Sequence, residues 1–177
     1  AMSRSRADTS GPYPEHSEAT GDDLVELLDA EAEDDEIEED ERAMIHSIFE
    51  LGDTVAREIM VPRPDMVTVA GRAPLREVVN LVIEHGYSRL PVHRDSRDDI
   101  IGVIYAKDLL KRLAMRPGSD HWSDLVRPAT YVPETKRVDT LLRSLQESTV
   151  HLAMVVDEYG ALVGLVTIED ILEEIVG

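Results

Sequence analysis

The spacing of apolar side chains along residues 67–115 alternates between strand-like and helical. A short β-branched segment at 67–69 precedes a helical stripe, and apolar runs at 90–93 and 100–104 predict buried strands. The pattern near 106–115 predicts a closing helix, so the order is β-α-β-β-α. The stripe that predicts one apolar helical face consists of Leu75, Val78, Val79, Val82 and Ile83.

The same order of elements occurs a second time later in the chain. A shift of 62 residues matches Gly102 with Gly164 and Asp108 with Asp170 inside two apolar segments. Such internal similarity indicates a repeated structural unit. The second copy has a β-branched segment at 131–132, a helical stripe at 138–145, strands at 152–156 and 162–167, and a helix near 168–176.

The match between the copies extends upstream of the glycines. The same shift places Arg89–Val92 on His151–Met154, and the helical stripes align with one extra residue. A unit of about 60 residues has a small core, so we expect the two sheets to pack together. The predicted fold is α/β (α+β), with one repeat at residues 59–116 and the other at residues 117–177.

The region ahead of the repeats is strongly acidic. Residues 1–58 hold 19 acidic and 4 basic side chains (net −15), which leaves 18 and 14 (net −4) for residues 59–177. We predict a disordered acidic arm at residues 1–30 and a helical lead-in at residues 31–58. Nine of the eleven residues at 31–41 are acidic, and such a run is more often a solvated face or spacer than a cation site, which remains the alternative.

Composition excludes several classes of function. The net charge of −19 opposes the phosphate backbone, so no nucleic-acid binding is expected. The absence of cysteine removes disulfides, thiolate catalysis and cysteine-ligated zinc. The longest apolar runs are far shorter than the roughly 20 residues of a transmembrane helix. The six histidines lack paired ligand spacing and no catalytic motif is present, so neither a protein-held metal site nor an enzyme is expected.

Thr167 and Asp170 lie where a predicted strand meets a predicted helix. A Thr-x-x-Asp pair is close to a capping box, and an acidic side chain in the first turn is favoured by the helix dipole. The alternative is a binding role, because exposed N–H groups, a hydroxyl and a carboxylate can contact phosphate or ribose oxygens. On these residues alone the cap is the commoner interpretation, and Arg89 alone is more often a surface ion-pair partner.

Five segments carry a resemblance to a known family: Arg57–Arg63, Gly86–Val92, Ile101–Asp108, Val155–Gly160 and Gly164–Leu172. The sequence resembles a tandem pair of CBS domains, a Bateman module, of the CorC/HlyC and CNNM group of magnesium and cobalt transport proteins. The resemblance runs from about Ile37 to the last residue. Because members usually carry a membrane domain ahead of this region, we expect a cytoplasmic fragment of a membrane-associated protein.

The resemblance implies a nucleotide-binding cleft between the repeats. Thr167 and Asp170 are expected at the ribose, with Ser88 and Arg89 at the phosphates. The cleft is completed by Thr68 and by an apolar wall of Tyr87, Leu90 and Pro91. Since Tyr105 stands where the second repeat has Thr167, a second cleft is expected to be weaker, with the residues Tyr105, Asp108, Tyr131 and His151.

The resemblance also implies a function and its partners. We expect a regulatory module that binds an adenine nucleotide, ATP or AMP. The acidic charge of the chain adds the expectation that Mg²⁺ is held through the nucleotide phosphates. A homodimer is expected, and the membrane transport domain of the parent protein is the other partner. The alternative is a structural dimerisation scaffold without a functional ligand site.

Overall fold

The computed structural model describes residues 38–177 and, ahead of them, Glu26, which is exposed and lies in a helix. The predicted disordered arm at residues 1–30 otherwise lies outside the described residues, as do residues 31–37 of the acidic run. Internal contacts divide the chain into residues 1–42 and a larger unit, residues 43–177, which contains both repeats.

Residues 38–177 form two sheets, six α-helices and two short 3-10 helices, Arg63–Asp65 and Ser123–Leu125. The helices are α1 (Glu39–Leu51), α2 (Ala56–Ile59), α3 (Leu75–His85), α4 (Ala106–Met115), α5 (Val138–Ser148) and α6 (Ile168–Val176). The strands are β1 (Val61–Pro62), β2 (Val69–Ala70), β3 (Arg89–His93), β4 (Ile100–Tyr105), β5 (Thr130–Pro133), β6 (Leu152–Val156) and β7 (Leu162–Thr167). The orders β2-α3-β3-β4-α4 and β5-α5-β6-β7-α6 confirm the predicted α/β (α+β) fold with two β-α-β-β-α repeats.

Each repeat forms its own sheet, and the sheet of the second repeat also includes a strand from the segment ahead of the first repeat. The first sheet has the order β2-β3-β4, and the second has the order β1-β7-β6-β5. In both, the first strand of the repeat is parallel to the second, and the second is antiparallel to the third. Strand β1 precedes the first repeat in the chain but pairs with β7 of the second repeat, with Val61 opposite Leu165.

The strand register corrects the predicted alignment of the repeats. Arg89 pairs with Tyr105, and the equivalent pair in the second sheet is Leu152 with Thr167. Leu152, and not His151, is therefore the counterpart of Arg89. The cause is the turn before the last strand, which has six residues at 94–99 and five at 157–161. The shift is consequently 63 residues before this turn and 62 after it.

Two glycines allow a backbone segment to cross from one repeat to the other. A Cβ on Gly164 would lie 2.5 Å from the carbonyl oxygen of Val61 and 2.7 Å from the sulfur of Met60. A Cβ on Gly102 would overlap the carbonyl oxygen of Arg127, whose backbone exchanges hydrogen bonds of 2.8 and 2.9 Å with Val103. The segment that leads into each repeat is thus held against the last strand of the other repeat.

The apolar cores follow the same plan. One core lies in the first repeat around Val78, Leu90 and Ile104, and another lies in the second around Leu141 and Ile171. A third cluster draws on both repeats, so the two sheets share buried apolar surface as expected. Its buried members are Met66, Ile100, Val103, Leu152, Met154 and Leu165.

The connection between the repeats is fixed to the start of α3. The indole N–H of Trp122 donates to the carbonyl of Ala73 at 2.8 Å, and Trp122 is buried. Asp120 accepts a hydrogen bond of 2.9 Å from the backbone N–H of Leu75. Because Pro74 offers α3 no capping side chain, Asp120 supplies the cap from 45 residues away.

Substitution of Gly164 by alanine is expected to lower the free energy of unfolding by about 1–3 kcal/mol, the usual cost of overpacking. The added methyl group would overlap backbone, and this cost exceeds the roughly 0.4–1 kcal/mol gained from a less flexible unfolded chain. Urea denaturation measures the change. Glu147→Ala, at an exposed helical position, serves as control, and equal stability of the two variants would contradict the close approach of β1.

Candidate functional site

A cleft of about 330 Å³ lies between the two repeats. Other clefts in the described residues have similar volumes of about 290 to 330 Å³, so volume alone does not identify a site. The first repeat and its lead-in contribute Val61, Asp65, Met66, Val67, Gly86, Tyr87, Ser88 and Arg89. The second repeat contributes Leu152, Leu165, Thr167, Glu169 and Asp170.

Five of the eight residues predicted for the main cleft line it together: Tyr87, Ser88, Arg89, Thr167 and Asp170. The other three are buried beside it. Leu90 is fully buried in the core of the first repeat, and Pro91 and Thr68 are buried as well. The Thr68 hydroxyl has no hydrogen-bond partner among the described residues.

Several lining residues were not singled out by the sequence. Asp65, Met66 and Val67 follow the prolines of the lead-in, and β1 carries this segment to the cleft. Glu169 lies inside the Thr-x-x-Asp motif, and its place in the first turn of α6 is a sequence feature that points to it. Leu165 and Leu152 line the cleft from the second sheet.

Thr167 and Asp170 form a complete capping box at the start of α6. The Thr167 hydroxyl accepts from the Asp170 backbone N–H at 3.1 Å. Asp170 Oδ2 in turn accepts from the Thr167 backbone N–H at 2.8 Å and from its hydroxyl at 2.7 Å. Within residues 38–177, Oδ1 of Asp170 accepts no hydrogen bond. The cap therefore fixes a carboxylate at the cleft and leaves one of its oxygens available.

Arg89 lies on the opposite wall of the cleft and reaches toward α6. Its Nη1 donates to Glu169 Oε1 at 3.2 Å, with side-chain exposures of 17% for Arg89 and 62% for Glu169. The Nε of Arg89 is buried without a partner among the described residues. The guanidinium carbon of Arg89 also lies 5.5 Å from the centroid of the Tyr105 ring. The ion pair with the exposed glutamate is a weak tether, because exposed ion pairs contribute little. The guanidinium thus has donors for another anion.

The electrostatic balance of the cleft is negative. Of the thirteen lining residues, three are carboxylates (Asp65, Glu169, Asp170) and one, Arg89, is cationic. The walls away from these charges are apolar and include Met66, which belongs to the buried cluster shared by the repeats. At the rim, Tyr87 stacks on His85 with ring centroids 5.4 Å apart and planes 8° from parallel.

The residues predicted for a second cleft contact other residues of the chain and do not line the cleft described above. The guanidinium of Arg127 lies 4.3 Å from the centroid of the Tyr105 ring. It donates to Asp108 Oδ2 from Nη2 at 2.6 Å and from Nε at 3.0 Å. The Tyr131 hydroxyl donates to the Ile100 carbonyl at 2.9 Å. Burial and the nearby Asp99 carboxylate raise the pKa of the Tyr131 phenol. His151 is exposed, and its carbonyl accepts from the N–H of Ile168 at 3.1 Å.

Residues 38–177 show neither a membrane-spanning helix nor a cluster of metal ligands. No helix in this part of the chain is long and apolar enough to span a bilayer. These residues also contain no group of three or more carboxylate, histidine or cysteine side chains arranged to hold a metal ion.

The chain matches the family model of the CBS domain twice, at residues 56–115 and 122–177. A UPF0053 protein of Mycobacterium tuberculosis is 41% identical over 180 residues, covering 100% of this chain and 40% of the relative. The magnesium and cobalt efflux protein CorC of Vibrio cholerae is 42% identical over 154 residues, covering 87% and 53%. The chain thus spans about half or less of the length of these relatives.

Solved structures of CBS domains are similar to this fold. The CBS domain of a bacterial CNNM/CorC family Mg²⁺ transporter is 43% identical, with a TM-score of 0.80 and coverage of 88% of this chain and 95% of that one. A structure of the CBS domain of the bacterial CNNM/CorC family Mg²⁺ transporter in complex with ATP is 47% identical. Its TM-score is 0.71, and the match covers 77% of this chain and 97% of that one. A CBS-domain pair with bound AMP from Klebsiella pneumoniae is 32% identical, with a TM-score of 0.60 and coverage of 70% and 99%.

Substitution of Thr167 by valine is expected to lower the free energy of unfolding by about 1 kcal/mol, because valine keeps the shape but removes the capping hydroxyl. Thr167→Ser keeps the hydroxyl and should restore most of the loss. Urea denaturation of the parent and both variants measures the effect. A valine variant as stable as the serine variant would mean that the capping box does not stabilise α6.

Proposed function

This chain belongs to the CBS domain family, as a tandem pair like those of the CorC and CNNM transport proteins, and from that premise we propose that it is a regulatory nucleotide-binding module. It binds an adenine nucleotide, ATP as its Mg²⁺ complex, in the cleft between the repeats. The observation that carries the proposal is the convergence of the Thr167–Asp170 cap and the Arg89 guanidinium on one cleft.

The parts of the cleft match the parts of a nucleotide. The available oxygen of Asp170 is suited to accept hydrogen bonds from ribose hydroxyls. Arg89 offers a planar set of donors to phosphate oxygens, and Ser88 adds a hydroxyl beside it. The apolar surface of Met66 and Leu165 is suited to a flat base. The structures of related CBS domains with ATP and with AMP support an adenine nucleotide as the ligand class.

The charge of the cleft supports magnesium as part of the ligand. Three carboxylates and one guanidinium line the cleft, and the chain carries a net charge of −19. A bare triphosphate therefore approaches charges of its own sign. A Mg²⁺ ion bound to phosphate oxygens neutralises two of those charges and keeps several of its waters, so it needs no cage of protein ligands.

The proposed role in the parent protein is regulation of magnesium or cobalt transport from the cytoplasmic side of the membrane. Nucleotide binding would bias the shape of a homodimer and so gate the transport domain. Exposed apolar side chains on α3, α4 and α6 support a second copy as partner. They are Ile83, Leu110, Met115, Leu172 and Val176. Light scattering of such a dimer would give a molar mass of twice the chain mass of 19.7 kDa.

The alternative function is a dimerisation scaffold without a functional ligand site. The capping box supports the scaffold, because helix capping alone explains why Thr167 and Asp170 stand at these positions. A thermal-shift screen of AMP, ADP and ATP, each with and without Mg²⁺, separates the two functions. Stabilisation by any of these nucleotides supports the binding module. If no nucleotide raises the unfolding temperature, the scaffold is supported instead.

Substitution of Asp170 by asparagine is expected to weaken ATP binding by about tenfold or more, because a charged acceptor is worth roughly twice a neutral one. Isothermal titration calorimetry with Mg²⁺ present measures the affinity. Glu173→Gln removes one carboxylate from the exposed face of the same helix and is the matched control. If both variants bind ATP as the parent does, Asp170 is not a ribose ligand.

Chelation of Mg²⁺ is expected to lower ATP affinity by about tenfold or more, with a smaller effect on AMP, which brings fewer charges to the cleft. Titrations with and without chelator measure the difference. Deletion of residues 1–41 tests the acidic run as the alternative magnesium sensor. A dependence that survives the deletion supports the cleft, whereas one that disappears with the acidic run assigns the sensing to that run.

A further inference from the structure

Arg127 occupies, against the first repeat, the place that Val61 occupies against the second. Val61 pairs with Leu165 beside Gly164, and Arg127 pairs with Val103 beside Gly102. A shift of 62 residues relates the two partner residues, so the pairings are equivalent. Because Val61 lines the open cleft, Arg127 stands at the matching wall of the second one.

The side chain at this position changes the chemistry of the second cleft. Val61 has no polar group, so no side chain on that wall donates to the Asp170 carboxylate. Arg127 instead directs two N–H groups, at 2.6 and 3.0 Å, onto one oxygen of Asp108, the counterpart of Asp170. Its guanidinium also lies over Tyr105, the counterpart of Thr167, at a distance typical of a cation–π contact.

Two hydrogen bonds and the partial burial of Asp108 hold the Asp108–Arg127 pair in place. The Asp108 side chain is 21% exposed and that of Arg127 is 47% exposed. The backbone of Arg127 is fixed by its two hydrogen bonds with Val103, so the side chain starts from a defined point. The carboxylate, the aromatic ring and the fixed backbone together restrict the conformations of the Arg127 side chain more than those of a lone surface arginine are restricted.

We propose that Arg127 is a specificity-determining residue that closes the second cleft by taking the ribose position at Asp108, so that each chain accepts one nucleotide. This rests on the proposed function, since it concerns which of two related clefts admits the ligand. Tyr105 alone does not explain the closure, because a tyrosine beside Asp108 leaves the carboxylate oxygens free to accept hydrogen bonds.

The test uses AMP as probe, because its single phosphate brings fewer negative charges to the Asp108 carboxylate than a triphosphate does. Calorimetry of the full chain, Tyr105→Thr and Tyr105→Thr/Arg127→Val measures the number of AMP molecules bound. The expected numbers are one, one and two. Adding Asp108→Asn to the double variant should return the number to one. Arg72→Val, which removes an exposed arginine far from the second-cleft residues in sequence, controls for the loss of charge and should leave one.

A cooperative urea unfolding transition like that of the parent shows that a variant is folded. Tyr105→Thr/Arg127→Gln, which keeps part of the arginine stem, is a second route if valine unfolds the chain. Two AMP molecules on Tyr105→Thr alone would assign the block to Tyr105 and overturn the proposal. One AMP on both folded double variants, or a second AMP that survives Asp108→Asn, would also overturn it. A parent chain that binds neither AMP nor Mg²⁺-ATP would instead refute the proposed function, and this inference with it.

Discussion

The close backbone approach at Gly102 and Gly164 is the constraint on which the rest of the molecule depends. Each glycine lets the segment that leads into one repeat pair with the last strand of the other. A side chain at either position would overlap a carbonyl oxygen. Because the lead-in of the first repeat crosses in this way, Asp65–Val67 reaches the start of α6. The cleft therefore exists only as a joint product of the two repeats.

The sequence predicted the repeat, the order of elements and the cap, because each depends on local spacing. Strand register was harder to predict. The runs that follow Arg89 and His151 are apolar throughout, so they align with each other equally well after a slip of one residue. A turn shorter by one residue decided it and replaced His151 by Leu152 as the counterpart of Arg89. Contacts made across long sequence separations, such as those of Asp65 and Arg127, leave no local pattern.

The two aspartates that the repeat makes equivalent have different surroundings. Asp170 completes a cap through one oxygen and lies in an open cleft, whereas Asp108 is held by Arg127. Identical residues at equivalent positions therefore predict equivalent backbone but not equivalent chemistry. The proposed difference between the two sites rests on three pairs of equivalent positions: Thr167/Tyr105, Arg89/Leu152 and Val61/Arg127.

A titration of the ¹⁵N-labelled chain with Mg²⁺-ATP, followed by NMR, distinguishes one nucleotide site per chain from two sites or none. We expect the amide resonances of residues 86–89 and 167–170 to shift together and to stop shifting at one equivalent of Mg²⁺-ATP. The resonances of residues 105–108 should show no separate binding event. Equal movement at 105–108 continuing to two equivalents would contradict the asymmetry of the clefts. No movement at either place would contradict nucleotide binding by this module.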